Sequence, residues 1–94
     1  MYVGLLVIDC RIGEGHSLKE KRHILQSLIE HLKRKFNISV AEVEHQDLWQ
    51  RTKLAIACVN TNPREGRSTL DHICNVIEAD PRLQLIDSEI VQLG

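Results

Sequence analysis

The sequence predicts an α+β domain in the order β-α-β-β-α-β, with a four-stranded antiparallel sheet carrying both helices on one face. Three observations predict it. Two short apolar runs, Val3-Gly4-Leu5-Leu6-Val7-Ile8 and Leu54-Ala55-Ile56-Ala57-Cys58-Val59, suit central strands buried on both sides. Two longer stretches place apolar residues at helical spacing, each opened by a capping signal. Finally, each helical stretch lies between two strand-like segments, which is the split β-α-β arrangement repeated.

The first strand covers residues 3–8 and runs into the charged Asp9 and Arg11. Gly13-Glu14-Gly15 breaks the pattern. Ser17 and Glu20 then form an S-x-x-E capping box, in which each side chain satisfies an orphan backbone N–H. Leu18, Leu25, Leu28, Ile29, Leu32 and Phe36 recur at helical spacing, so the first helix spans residues 18–36, with Asn37 as its stop. Residues 38–44 alternate in part (Ile38, Val40, Val43) and read as an edge strand. The third strand covers residues 53–59. Asn62-Pro63 is a good N-terminal pair, and Leu70, Ile73, Cys74 and Ile77 make the stripe of a second helix over residues 63–79. Asp80-Pro81 ends it, and Leu83, Leu85 and Ile86 begin a last strand that reaches residue 91. Right-handed crossovers turn this order into a ferredoxin-like fold with strand order 4-1-3-2. That topology brings three connections to one end of the sheet: residues 13–17, residues 45–50 and the turn near Asp80.

The 94 residues make one domain, 1–94. An apolar fraction of 43% and a charged fraction of 27% are ordinary for a globular chain, and a net charge of -1 excludes a polybasic coat for nucleic acid. The balance is uneven: residues 1–36 hold seven Lys/Arg against four Asp/Glu, and residues 37–94 hold five against nine. Cys10, Cys58 and Cys74 are an odd number in apolar runs without C-x-x-C spacing, which reads as buried thiols in a reducing compartment. The run at residues 3–8 is too short to span a bilayer and lacks a cleavage site, so a soluble cytoplasmic protein with no membrane partner is expected.

The stretch His45-Gln46-Asp47-Leu48-Trp49-Gln50-Arg51 concentrates the unusual residues, including the sole Trp. Such side chains on a connection are more often functional than structural. Together with His16-Ser17-Leu18-Lys19-Glu20-Lys21-Arg22, and Val40-Ala41-Glu42-Val43 before it, this stretch resembles the YlxP-like family of small uncharacterised bacterial proteins. The resemblance covers essentially the whole chain and implies the same ferredoxin-like fold. Genes of that family often neighbour those of transcription elongation and translation initiation factors, which implies a role linked to RNA or the ribosome.

Three functional readings follow from the residues. The first is a non-enzymatic binding protein for RNA or a ribosomal particle. It would use His16, Ser17, Lys19, Lys21, Arg22, His45, Gln46, Asp47, Trp49 and Arg51, with the helix-start cations and N–H groups meeting phosphate and Trp49 stacking on a base. Binding across the sheet is disfavoured, because Tyr2 is the sole aromatic on the two central strands. The second is a small enzyme or metal-dependent site built from His16, His45 and Asp47, although no third firm ligand is visible. No catalytic residue, metal ligand or cofactor is assigned. The third is a homodimeric ligand-sensing or scaffold domain. If Leu6, Ile8, Leu54, Ile56 and Cys58 face the helices, then Val3, Leu5, Val7, Ala55, Ala57 and Val59 form an apolar patch on the open sheet, as interfaces do.

Overall fold

The computed structural model describes residues 1–13 and 16–94; Glu14 and Gly15, the centre of the break expected at residues 13–15, lie outside the described residues. The elements are β1 (Tyr2–Ile12), α1 (Leu18–Lys35), β2 (Ile38–Glu44), β3 (Arg51–Asn60), α2 (Pro63–Glu78) and β4 (Leu83–Gln92). They form one antiparallel sheet in the order β2-β3-β1-β4, the arrangement expected of a ferredoxin-like domain.

The central strands run longer than their apolar runs, and the reason is alternation. On β1 the even positions, from Tyr2 through Leu6, Ile8 and Cys10 to Ile12, are buried, and Asp9 and Arg11 belong to the odd face. A charge on the open face does not stop the ladder, so β1 and β3 stay paired as far as Arg11 opposite Arg51. Arg51 is therefore a strand residue and not, as its neighbours in sequence led us to expect, part of the loop. Two bulges bend the edges, one between Glu42 and Glu44 on β2 and one where β4 passes Asp9 and Cys10.

The core joins Leu6, Ile8 and Cys10 of β1, Leu54, Ile56 and Cys58 of β3, Ile24, Leu28 and Leu32 of α1, and Leu70, Ile73 and Ile77 of α2. Both helices thus lie on the even face. Burying each of these side chains contributes on the order of 1.5–3 kcal/mol. Tyr2 fits because two glycines make room for it: a Cβ at Gly66, in the first turns of α2, or at Gly4 would collide with its ring. Asn62 caps α2 by accepting from the Arg64 and Glu65 N–H groups at 2.9 and 3.4 Å. Among the described residues no helix is long and apolar enough to cross a membrane.

Candidate functional site

Hydrogen bonds gather the three connections at one end of the sheet. The Ile12 N–H donates to the Gln50 carbonyl at 2.9 Å and the Gly13 N–H to the Arg82 carbonyl at 2.8 Å. Asp80 anchors the last turn, accepting from the Arg82 N–H at 2.9 Å and from its guanidinium at 3.0 and 2.7 Å. Those donated bonds hold the Asp80 carboxyl below its ordinary range.

The start of α1 is capped from both sides. Ser17 Oγ accepts from the Glu20 N–H at 3.1 Å, and Glu20 Oε2 accepts from the His16 N–H at 2.6 Å. The Ser17 half of the capping box predicted by sequence is thus formed, while Glu20 reaches back to the residue before the cap, and this has a consequence for binding. Its carboxylate already occupies the helix start, where the dipole favours an anion. A phosphate at this end would meet that carboxylate as well as the side-chain cations.

Lys21 is the least expected residue of the site. It is 1% exposed. Its Nζ donates to the carbonyls of His45 at 2.7 Å and Leu48 at 2.6 Å, and pairs with Glu42 Oε2 at 2.8 Å. Glu42 points inward because β2 places it opposite Leu54, and its carboxylate also accepts from Thr52 Oγ1 at 2.6 Å. Three donors therefore meet three oxygens, the condition under which a lysine is buried at tolerable cost. As a result Lys21 is no surface cation for a ligand. It is a clamp that ties α1 to the loop between β2 and β3. The loop it holds is also tight: the Leu48 N–H closes on the His45 carbonyl at 3.0 Å, and His45 adopts φ 66, a left-handed conformation rare for a residue with a Cβ.

What the clamp presents is apolar and exposed. Trp49 is 37% exposed and meets the His16 ring edge-on, with centroids 5.7 Å apart and planes at 72°. The two motifs therefore touch through this ring pair as well as through Lys21. Leu48 and Val43 are exposed beside it in sequence, and Lys19 and Arg22 project from the first turns of α1 into solvent. An open hollow follows that helix face, lined by Ser17, Lys19, Glu20, Arg22, His23 and Gln26 among others. Gln46 and Asp47 are exposed at the loop tip, where the Gln46 side chain donates to the Glu42 carbonyl at 3.3 Å. His16, His45 and Asp47 do not assemble: among the described residues no group of three or more His, Cys, Asp or Glu is placed to hold a metal.

Arg51 lies apart, on the open sheet face, where one guanidinium nitrogen donates to both carboxylate oxygens of Asp9 at 3.0 Å each. Beside it Lys53 pairs with Glu44 at 2.6 Å, which lowers the Glu44 pKa and raises that of Lys53. Below this charged band the part of the face formed by β1 and β3 is apolar, with the exposed Glu89 of β4 beside Val7 at its border. Val3, Leu5, Val7, Ala55 and Ala57 are half-buried and Val59 is 57% exposed, on the side away from both helices. Tyr2 is in the core, so the open face of β1 and β3 offers no aromatic ring. Burial raises the Cys10 thiol to about 11, helped by Asp9 and Cys74, and raises Cys58 as well.

Sequence reasoning missed Glu42, Thr52, Leu48 and Val43. The signal for the clamp was present: Lys21 falls on the stripe Leu18, Leu25, Leu28, Leu32, and Glu42 falls on the inward phase of Ile38 and Val40. A cation and an anion at two core-facing positions call for each other.

Fold and site together define a ferredoxin-like domain whose decorated end is locked by a buried lysine. The chain belongs to the DUF503 family, a family of proteins of unknown function, which it matches over residues 3–90. It is similar to the uncharacterized protein YlxP of Bacillus subtilis (strain 168), 33% identical over 82 residues, which is 87% of this chain and 89% of that protein.

Proposed function

We propose that this is a non-enzymatic cytoplasmic binding protein that engages RNA, free or within a ribosomal particle, through the end carrying Trp49, and that works as a homodimer. The observation behind this reading is the clamp. A buried ammonium, a left-handed His45 and an ion pair fix a loop whose two apolar side chains, Leu48 and Trp49, remain partly exposed. Residues held in sparsely populated conformations cluster at binding sites, because a loop ordered in advance loses less entropy when it binds. An exposed indole is a stacking platform for a base, worth roughly 1–3 kcal/mol, and Lys19 and Arg22 on the adjoining helix start supply charge for the phosphate.

The test is co-sedimentation of the purified chain with ribosomal subunits and with naked RNA. Wild type should travel with one of the two, and Trp49→Ala should remain at the top of the gradient while keeping its melting temperature within a few degrees. A Trp49→Ala chain that still co-sediments, or one that unfolds because the indole is a structural plug, refutes the reading.

A further inference from the structure

The homodimer in this reading can be given a geometry. We infer that two copies pack by their open sheet faces about a twofold axis that lies between the sheets and runs parallel to the strands, so that both Trp49 ends point the same way.

Side-chain size carries the inference. On the open face β1 carries the larger residues, Val3, Leu5 and Val7, and β3 presents Ala55 and Ala57 directly opposite Val7 and Leu5. The face is thus a ridge beside a trough. A twofold along the strands, passing between β1 and β3, lays each ridge over the other copy's trough. Leu5 then meets Ala57 of the second copy, and Val7 meets Ala55. The same operation sets Asp9 over Lys53 of the second copy and Arg11 over Arg51, whose charge the Asp9 of its own chain already offsets. A twofold running across the strands instead leaves each charged band, with Asp9, Arg51, Lys53 and Glu44, hanging beyond the other copy's apolar block.

The available area also fits. Four strands at about 4.8 Å spacing and about 3.3 Å per residue along β1 give a face of roughly 700 Å². A stable interface uses about 800 Å² per partner. Both faces belong to a continuous hydrogen-bonded sheet, so little ordering cost opposes their meeting. The consequence for function is bivalence: two Trp49 loops at one end of the dimer could engage one RNA together, which raises affinity without a new contact.

The inference deepens the proposed binding reading, but its test needs no RNA, so the two can fail separately. Light scattering of the wild-type chain at micromolar concentration should give twice the 10.8 kDa monomer mass. Ala57→Glu should give a monomer with unchanged circular dichroism, and Val59→Glu, at a rim position, should weaken dimerisation at least tenfold without threatening the fold. Ala57→Leu should disrupt the dimer and Leu5→Ala with Ala57→Leu should restore it, since ridge and trough are merely exchanged. For orientation, Asp47→Cys in a Cys74→Ser background carries a spin label at the loop tip. Labels closer than the 41 Å length of one chain support the parallel arrangement. A wild-type monomer, a dimer indifferent to both glutamates, or labels farther apart than that length overturns it. Binding of some other protein to this face of a monomeric chain overturns it too.

Discussion

Replacing Lys21 by Met keeps the length and the apolar stem of the side chain and deletes the ammonium. Its loss leaves the Leu48 carbonyl without its donor, removes one of two donors to the His45 carbonyl, and leaves Glu42 with Thr52 alone. An orphaned buried acceptor costs about 1–3 kcal/mol, and breaking a buried ion pair costs about 3–5 kcal/mol. The Glu42 side chain is 21% exposed and Leu48 42%, so water recovers part of both terms. We therefore expect a loss of about 2–3 kcal/mol, or a fall in Tm of roughly 10–20 °C for a chain of this size. Urea unfolding at constant m measures the first quantity, and hydrogen exchange at the Leu48 amide should show the loop opening early. Lys21→Met with Glu42→Leu should recover at least about 1 kcal/mol, because the stranded carboxylate is removed with its partner. A single mutant within about 0.5 kcal/mol of wild type, with Leu48 still protected, refutes the clamp.

Other outcomes follow from the same geometry. His45→Gly should hold or raise stability by up to about 1 kcal/mol in urea unfolding, and His45→Val should lower it, because φ 66 suits glycine and strains a branched residue. Gly66→Ala should cost about 1–3 kcal/mol, since the new methyl meets the Tyr2 ring; Tyr2→Leu in the same chain should relieve part of that loss in thermal melts. Acid sensitivity has a defined sign. The bonds from Arg82 hold Asp80 below its ordinary 3.8, so the unfolded chain takes up the proton first. The stability contributed by Asp80 is full above that ordinary value and is lost as pH falls through the lowered folded value; urea midpoints against pH should show a shallower acid limb in Asp80→Asn. In native protein at neutral pH, an alkylating reagent followed by mass spectrometry should mark the half-buried Cys74 well before the buried Cys10 and Cys58, whose thiols are pushed up by burial.

The fold was legible because its signals are local and periodic. The Ser17–Glu20 box, Asn62-Pro63 and the stripe from Leu70 to Ile77 each mark a helix within one or two residues, and the two apolar runs name the central strands. Strand ends were harder to place. Asp9, Arg11 and Arg51 look like loop residues to any argument from hydrophobicity, yet they pair across the open face, where alternation allows a charge. At the site, the sequence separated surface from core by residue type, so Lys21 was grouped with Lys19 and Arg22. Its burial depends on Glu42, 21 positions away, which enters the core side only through the register of β2. Topology placed the loops of His16 and Trp49 at the same end of the sheet but not in contact, and their edge-on meeting depends on side-chain rotamers that no spacing encodes.

Because Trp49 is the sole tryptophan, its fluorescence reports on the proposed contact alone. Titrating the wild-type chain with single-stranded RNA should give saturable quenching whose affinity falls steeply with added salt, and Lys19→Ala with Arg22→Ala should weaken the binding and flatten that salt dependence. Fluorescence that stays unchanged at saturating RNA, or quenching that ignores both salt and the two cations, would contradict the account.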